Sequence, residues 1–268
     1  MKHWITTNIA DRLKNSKCDF EVFINKTSFE KINFEKAADN VALSIADEKI
    51  FVGFSGGYDS EFIIRCLHKN KIPFTPVLID LEGLEAERSY AHKVLRELKI
   101  EATILKLSTS DFLSLYYEKI YKTINGTAWP SAQYLACQYA HDNNGIFVDG
   151  GHILGDGDDL VSAQNFYLPE WDFYCHALFP KTKICNFFIH TAQIAYATLA
   201  AIEDSDLTWA DYKERVFNLR YRPKVRPQTS FHTNVREILK KLDKHRVYTP
   251  KQKVYFGDKK TLMSLISL

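Results

Sequence analysis

No property of this 268-residue sequence is lopsided, and what it lacks narrows the field first. It lacks net charge: 35 lysines and arginines stand against 33 acidic residues, a formal +2. So even a balance marks neither a general nucleic-acid binder nor a polybasic membrane protein. It lacks long hydrophobic runs. Residues 1–10 carry Lys2, His3, Thr6, Thr7 and Asn8 among the apolar positions and do not make a signal peptide. The most apolar later segment, residues 190–202, is broken by Thr191, Gln193 and Thr198 and reads as a buried helix. A soluble, cytoplasmic chain with no membrane partner is expected. It lacks cysteine pairs: Cys18, Cys66, Cys137, Cys175 and Cys185 form an odd set with no C-x-x-C, so neither a disulfide framework nor a cysteine zinc site is encoded. Asn25 and Asn125 head glycosylation sequons that mean little without a secretory signal. No repeat or low-complexity tract is visible. What remains is ordinary globular composition, 46% hydrophobic, 25% charged and 13% aromatic.

The order of elements sets the fold class. Residues 1–48 read as a preface of one strand (Phe20 to Ile24) and one helix (Phe34 to Ile45) packed on a core at 49–165. That core alternates. Short apolar runs at 49–54, 74–81, 102–107 and 146–148 predict buried strands, and the amphipathic stretches between them predict helices, with Ser108 as an N-cap. Strands alternating with helices of this length imply an α/β fold, a doubly wound parallel sheet of Rossmann-like type. After residue 160 the alternation is expected to stop. Residues 166–268 read as a helical C-terminal annex, with helices near 190–202, 208–217 and 233–241 and a basic tail completing the site.

The sharpest feature is Ser55-Gly56-Gly57-Tyr58-Asp59-Ser60, between the first core strand and its helix. Glycines let backbone wrap a ligand and turn N–H groups toward it, and a helix N-terminus adds positive potential, so such a turn suits phosphate. Ser55 and Ser60 can donate hydroxyl hydrogen bonds to it. Asp59 can serve an anion only through a cation, which implies Mg2+ bridging carboxylate and phosphates. The plainer reading is a Ser/Gly turn with Asp59 as a first-turn capping acid.

This hexapeptide resembles the PP-loop of the N-type ATP pyrophosphatases, which split ATP between its α and β phosphates. It is not a Walker A loop, because G-x-x-x-x-G-K-[ST] does not occur in the sequence. The strand ending at residues 77–83, Val-Leu-Ile-Asp-Leu-Glu-Gly, is similar to the asparagine synthetase and β-lactam synthetase pattern, which implies that Ile79 and Leu81 lie beside the adenosine. Residues 145–159 stand where that family has a strand followed by S-G-E-G-A-D-E; Gly151 or His152 sits near the position of its glutamate, and the acids arrive late. The resemblance implies that Gly150 and Gly151 approach the nucleotide, and that Asp156 shares the metal with Asp59, with Asp158 and Asp149 behind it. The tail around Lys251-Gln252-Lys253 is similar to the family's R-Q-K-E segment, which assigns Lys253 to the reacting centre; a solvated basic tail is the plainer reading. Compact phage-encoded PP-loop proteins are also similar.

On this resemblance Ser55, Gly56, Gly57, Tyr58, Asp59 and Ser60 hold ATP with Mg2+, and Lys253, His152 and Asp59 are catalytic. The implied activity is an AMP- and pyrophosphate-forming ligase that adenylates a carboxylate and passes it ammonia or an amine. Residues 1–48 cannot hold a glutaminase domain, so the nitrogen comes from solution or from an ammonia-donating partner. Modification of a nucleobase or tRNA, or a non-catalytic ATP sensor or partner subunit, are the alternatives. The basic run Lys213, Arg215, Arg220, Arg222, Lys224 and Arg226 could clamp a triphosphate or an acidic or nucleic-acid substrate, although a solvated helix face is the plainer reading. Nucleic acid is not the favoured partner. His152 is read as a general base or substrate contact, and Trp171 as core or as a pocket wall.

Overall fold

A computed structural model describes residues 3–82, 85–128, 130–155, 165–203, 205–206, 208–219 and 251–267. An antiparallel ribbon, β1 (Ile5–Thr7) and β2 (Val22–Ile24), precedes α1 (Phe34–Ser44), whose first turn is capped by the Asn33 side chain accepting from the Lys36 N–H. The expected strand at 20–24 is thus shorter by two residues. Then come β3 (Ile50–Gly53), α2 (Tyr58–Lys69), β4 (Phe74–Leu81), α3 (Glu85–Leu98) and β5 (Thr103–Leu107). Ser108 caps α4 (Thr109–Leu115), accepting from the Asp111 N–H, and the helix runs on through a π-helical turn, Tyr116–Tyr121. α5 (Ser131–Asp142) leads into β6 (Ile146–Asp149).

The strands bury both faces, and the sequence pattern shows why. In β3, Ile50 and Val52 pack on one side with Phe34, Ala38, Val41 and Ile64, while Phe51 points to the other with Ala136, Cys137 and Phe147. In β6, Ile146 and Val148 go with the first group and Phe147 with the second. Period-two alternation with apolar residues at every position needs helices on both faces, and the connections supply them.

The alternation does not stop at 160. The aromatic-rich stretch returns to the sheet as β9 (Ile184–Asn186), pairing parallel with β6 after β7 (Leu154–Gly155), β8 (Phe166–Pro169) and α6 (Tyr174–Leu178). The central sheet therefore has five parallel strands in the order β5-β4-β3-β6-β9. α7 (Ala192–Ala200) packs on α1, α8 (Trp209–Val216) packs on α2, and α9 (Lys259–Ile266) packs on α7. β10 (Lys253–Tyr255), part of the expected basic tail, is a strand in a small antiparallel sheet, β10-β8-β7. The expected helix over 233–241 lies outside the described residues.

This order places the site. From β3 the chain steps outward to β4 and β5, then returns to the other side of β3 for β6 and β9. Between the carboxyl ends of β3 and β6 the connections diverge, which is where open α/β sheets leave a crevice.

Candidate functional site

The crevice is a cavity of about 460 Å³ between two loops. The first leaves β3 through Phe54 and Ser55; Gly56 takes φ +76°, a conformation that disfavours any side chain, and Gly57 precedes the first residue of α2. The loop is knit by short hydroxyl contacts. The Gly57 N–H donates to Ser55 Oγ at 3.2 Å, and Ser60 Oγ lies 3.3 Å from Ser55 Oγ and donates to the Gly57 carbonyl at 3.2 Å. The second loop leaves β6 as Asp149-Gly150-Gly151-His152. A Cβ on Gly150 would stand 2.8 Å from Cβ of Asp59, so only glycine lets the two loops meet.

Asp59, Asp149, His152 and Asp172 line the cavity, and each is set by a different balance. Burial would raise the Asp59 carboxyl, but the Lys213 ammonium, 2.7 Å from Oδ2, outweighs it and holds Asp59 below the usual carboxylate range. Its other oxygen, Oδ1, is buried with no hydrogen-bond partner. Asp149 is pushed up to about 7 by burial, although its carboxylate accepts from the Gly151 N–H and Asn186 Nδ2, both at 3.0 Å. Asp172 is raised far above the carboxylate range by burial and by the neighbouring charge of Asp149.

His152 is pushed down to about 4, by burial first and by Lys213 second. Its Nδ1 lies 2.9 Å from the Gly150 carbonyl, so Nδ1 carries the hydrogen and Nε2 presents a lone pair. That Nε2 is buried without a partner. The backbone N–H of His152 donates to Asp172 Oδ2 at 3.1 Å, which ties the second loop to the cavity's far wall.

The structure brings together Ser55, Asp59, Ser60, Ile79, Leu81, Gly150, Gly151 and His152, all of which line the cavity. Trp171 lines it too, as a wall beside Asp172. Tyr58 turns away, its hydroxyl donating to Glu214 Oε1 on α8 at 2.6 Å. Lys253 lies in β10 with its ammonium 4.4 Å from the centre of the Tyr167 ring, and it is not among the cavity-lining residues. Asp156 and Asp158, and Arg220, Arg222, Lys224 and Arg226 of the basic run, lie outside the described residues. Lys213, which does not line the cavity either, meets the site through its ion pair with Asp59. No motif marks it; its one signal was membership of the basic run. Gln133, Arg88, Phe112 and Asp172 also line the cavity and stand in sequence contexts that look like ordinary helix and loop.

The donor set at the first loop, two hydroxyls and a carboxylate oxygen, is all hard oxygen, and the unpartnered Oδ1 of Asp59 fits a magnesium ion. Among the described residues no group of three or more histidines, cysteines and acids has metal-holding geometry. Such an ion would be held jointly with ligand phosphates, as Mg2+ usually is.

The class that fold and site define is thus a doubly wound α/β protein with a Ser/Gly loop and a buried acid, Asp149, at its switch point. No protein-family model and no curated protein matches the chain. Among solved structures it is similar to an NH3-dependent NAD synthetase from Campylobacter jejuni, at 16% identity over 44% of this chain and 56% of that one, with a TM-score of 0.35. It is also similar to the NMN synthetase from Francisella tularensis, at 14% identity over 82% of this chain and 99% of that one, TM-score 0.38. A glutamine-dependent NAD+ synthetase from Acinetobacter baumannii, solved with ADP, matches at 11% identity over 50% of this chain and 31% of that one, TM-score 0.34. The chain spans little more than half the length of the first and less than a third of the last. Among the described residues no helix is long and apolar enough to cross a membrane.

Proposed function

We propose that this chain is an ATP-dependent ligase that forms AMP and pyrophosphate, adenylating a substrate carboxylate and transferring ammonia or an amine to it. One observation carries the reading. The Ser55–Ser60 loop, with the residue pattern of a PP-loop, sits at the switch point of the sheet and turns its part-buried carboxylate, Asp59, into a cavity that the buried Asp149 also lines.

The roles follow from the geometry. Ser55, Ser60 and the backbone of the loop receive the β and γ phosphates, and Ile79 and Leu81 give the adenosine an apolar wall. Asp59 would hold the magnesium ion, with Asp156 and Asp158 as further proposed ligands; bound there, the ion neutralises phosphate charge. A carboxylate oxygen of the acceptor attacks the α-phosphorus, the bond to the bridging oxygen breaks, and pyrophosphate leaves with the electron pair. Ammonia then attacks the acyl carbon, AMP departs, and the nitrogen sheds a proton. His152 Nε2, unpartnered beside the cavity, is the proposed acceptor of that proton, although burial makes it a weak base. Lys213 is the proposed cation beside the phosphates, and Lys253 keeps the role the resemblance gave it, stabilising charge at the reacting centre.

The test is pyrophosphate release from ATP and magnesium, screened over carboxylic acids with ammonium present. Acceptor-dependent pyrophosphate is expected, reduced at least about 100-fold in Asp59→Asn. ATP turnover that gives only ADP and inorganic phosphate overturns the reading, as does undiminished turnover in that variant.

A further inference from the structure

Asp59 already has a cation. Lys213 Nζ is 2.7 Å from Oδ2, and the lysine side chain is only 12% exposed. Three consecutive residues clamp the helix that carries it. Lys213 pairs with Asp59, Glu214 accepts from the Tyr58 hydroxyl, and Arg215 pairs with Asp206 and Glu203 and donates to the Ala201 carbonyl. Glu214 thus ties α8 to Tyr58 and Arg215 ties it to residues 201–206, so a change of partner at Asp59 needs only the lysine side chain to move. Its ammonium lies 5.8 Å from the centre of the Trp209 ring, a second resting place for a cation. His152, facing the pair from the second loop, is neutral at pH 7 and adds no charge.

We infer that Lys213 is a built-in competitor for magnesium: it neutralises Asp59 in the nucleotide-free protein, so the site takes a divalent ion only together with a polyphosphate. This rests on the proposed function. A divalent ion arriving alone at Asp59 Oδ1 meets a carboxylate whose charge is already cancelled, and an ammonium that repels it at close range in a part-buried setting, Asp59 being 26% exposed. A triphosphate changes the balance, because its oxygens supply partners for both the lysine and the ion. Lys213 thereby makes the metal–nucleotide complex, rather than the free ion, the species that binds, and it meets the phosphates as it leaves Asp59.

Binding of Mn2+, read by electron paramagnetic resonance, tests this without turnover. Wild-type protein should bind Mn2+ weakly alone and at least tenfold more tightly with α,β-methylene ATP. Lys213→Met should gain at least tenfold in affinity for the free ion, whereas Lys213→Arg, which keeps the charge, should stay close to wild type. Thermal melts of both variants confirm that they fold. Equal free-ion affinity in wild type and a folded Lys213→Met overturns the inference. Failure of the ATP analogue to promote Mn2+ binding in the wild type overturns the proposed function instead, so the two failures are distinct.

Discussion

Burial, and not a missing partner, governs Asp149. Its carboxylate accepts from the Gly151 N–H and Asn186 Nδ2, and yet it titrates near 7 against an ordinary 3.8. Between those values the folded chain binds a proton that the unfolded chain has lost, so stability falls as pH rises from about 4 to 7. At about 1.4 kcal/mol per pH unit of separation, the contribution is on the order of a few kcal/mol. Guanidinium midpoints at pH 5 and pH 8 check this: the wild type should be less stable at pH 8 by that route, and Asp149→Asn should show a smaller difference. Equal differences would contradict it. At this scale the sequence revealed what a motif encodes and little else. Ser55, Asp59 and Ser60 declare themselves by type and spacing, whereas Lys213, 154 residues from Asp59, is brought to it only by the fold.

Among the elements, the contacts that tie the N-terminal segment to the rest of the chain include one buried ion pair beside the site. Arg12, 1% exposed, pairs with Glu170, 0% exposed, and also donates to the Lys251 carbonyl at 3.0 Å. The Tyr174 hydroxyl donates to the other oxygen of Glu170. Trp171 and Asp172 follow Glu170 directly and wall the cavity, so the preface and β10 brace that wall from behind. Removing one partner strands a buried charge, at a cost of about 3–5 kcal/mol. Arg12→Met should lower the urea midpoint accordingly, and a loss under 1 kcal/mol would show that the pair does not brace the fold. Elements with strong periodicity were readable: β4 over 74–81 and α3 over 85–98 fall where the pattern places them. β9 was not, because three residues between Lys183 and an aromatic cluster give no alternation to read; its strand state is imposed by pairing with β6. β10 was hidden likewise, its Lys and Tyr reading as a polar tail until β8 offers it an edge.

Over the whole molecule, topology does what no single element does. The five-stranded order returns the chain past its first strand, so that two loops about 90 residues apart in sequence close on one cavity. The doubly wound class was readable from alternation alone, since apolar runs bounded by amphipathic helices admit few other packings. Which residues face each other across the crevice was not, because that depends on strand order. Under the proposed function, ATP is cleaved between its α and β phosphates at the Ser55–Ser60 loop. The most direct measurement is a 31P spectrum of the reaction with the best acceptor, magnesium and ammonium. AMP and pyrophosphate in equal amounts are expected, both reduced at least about 100-fold in Asp59→Asn. ADP and inorganic phosphate in the wild type would contradict that cleavage.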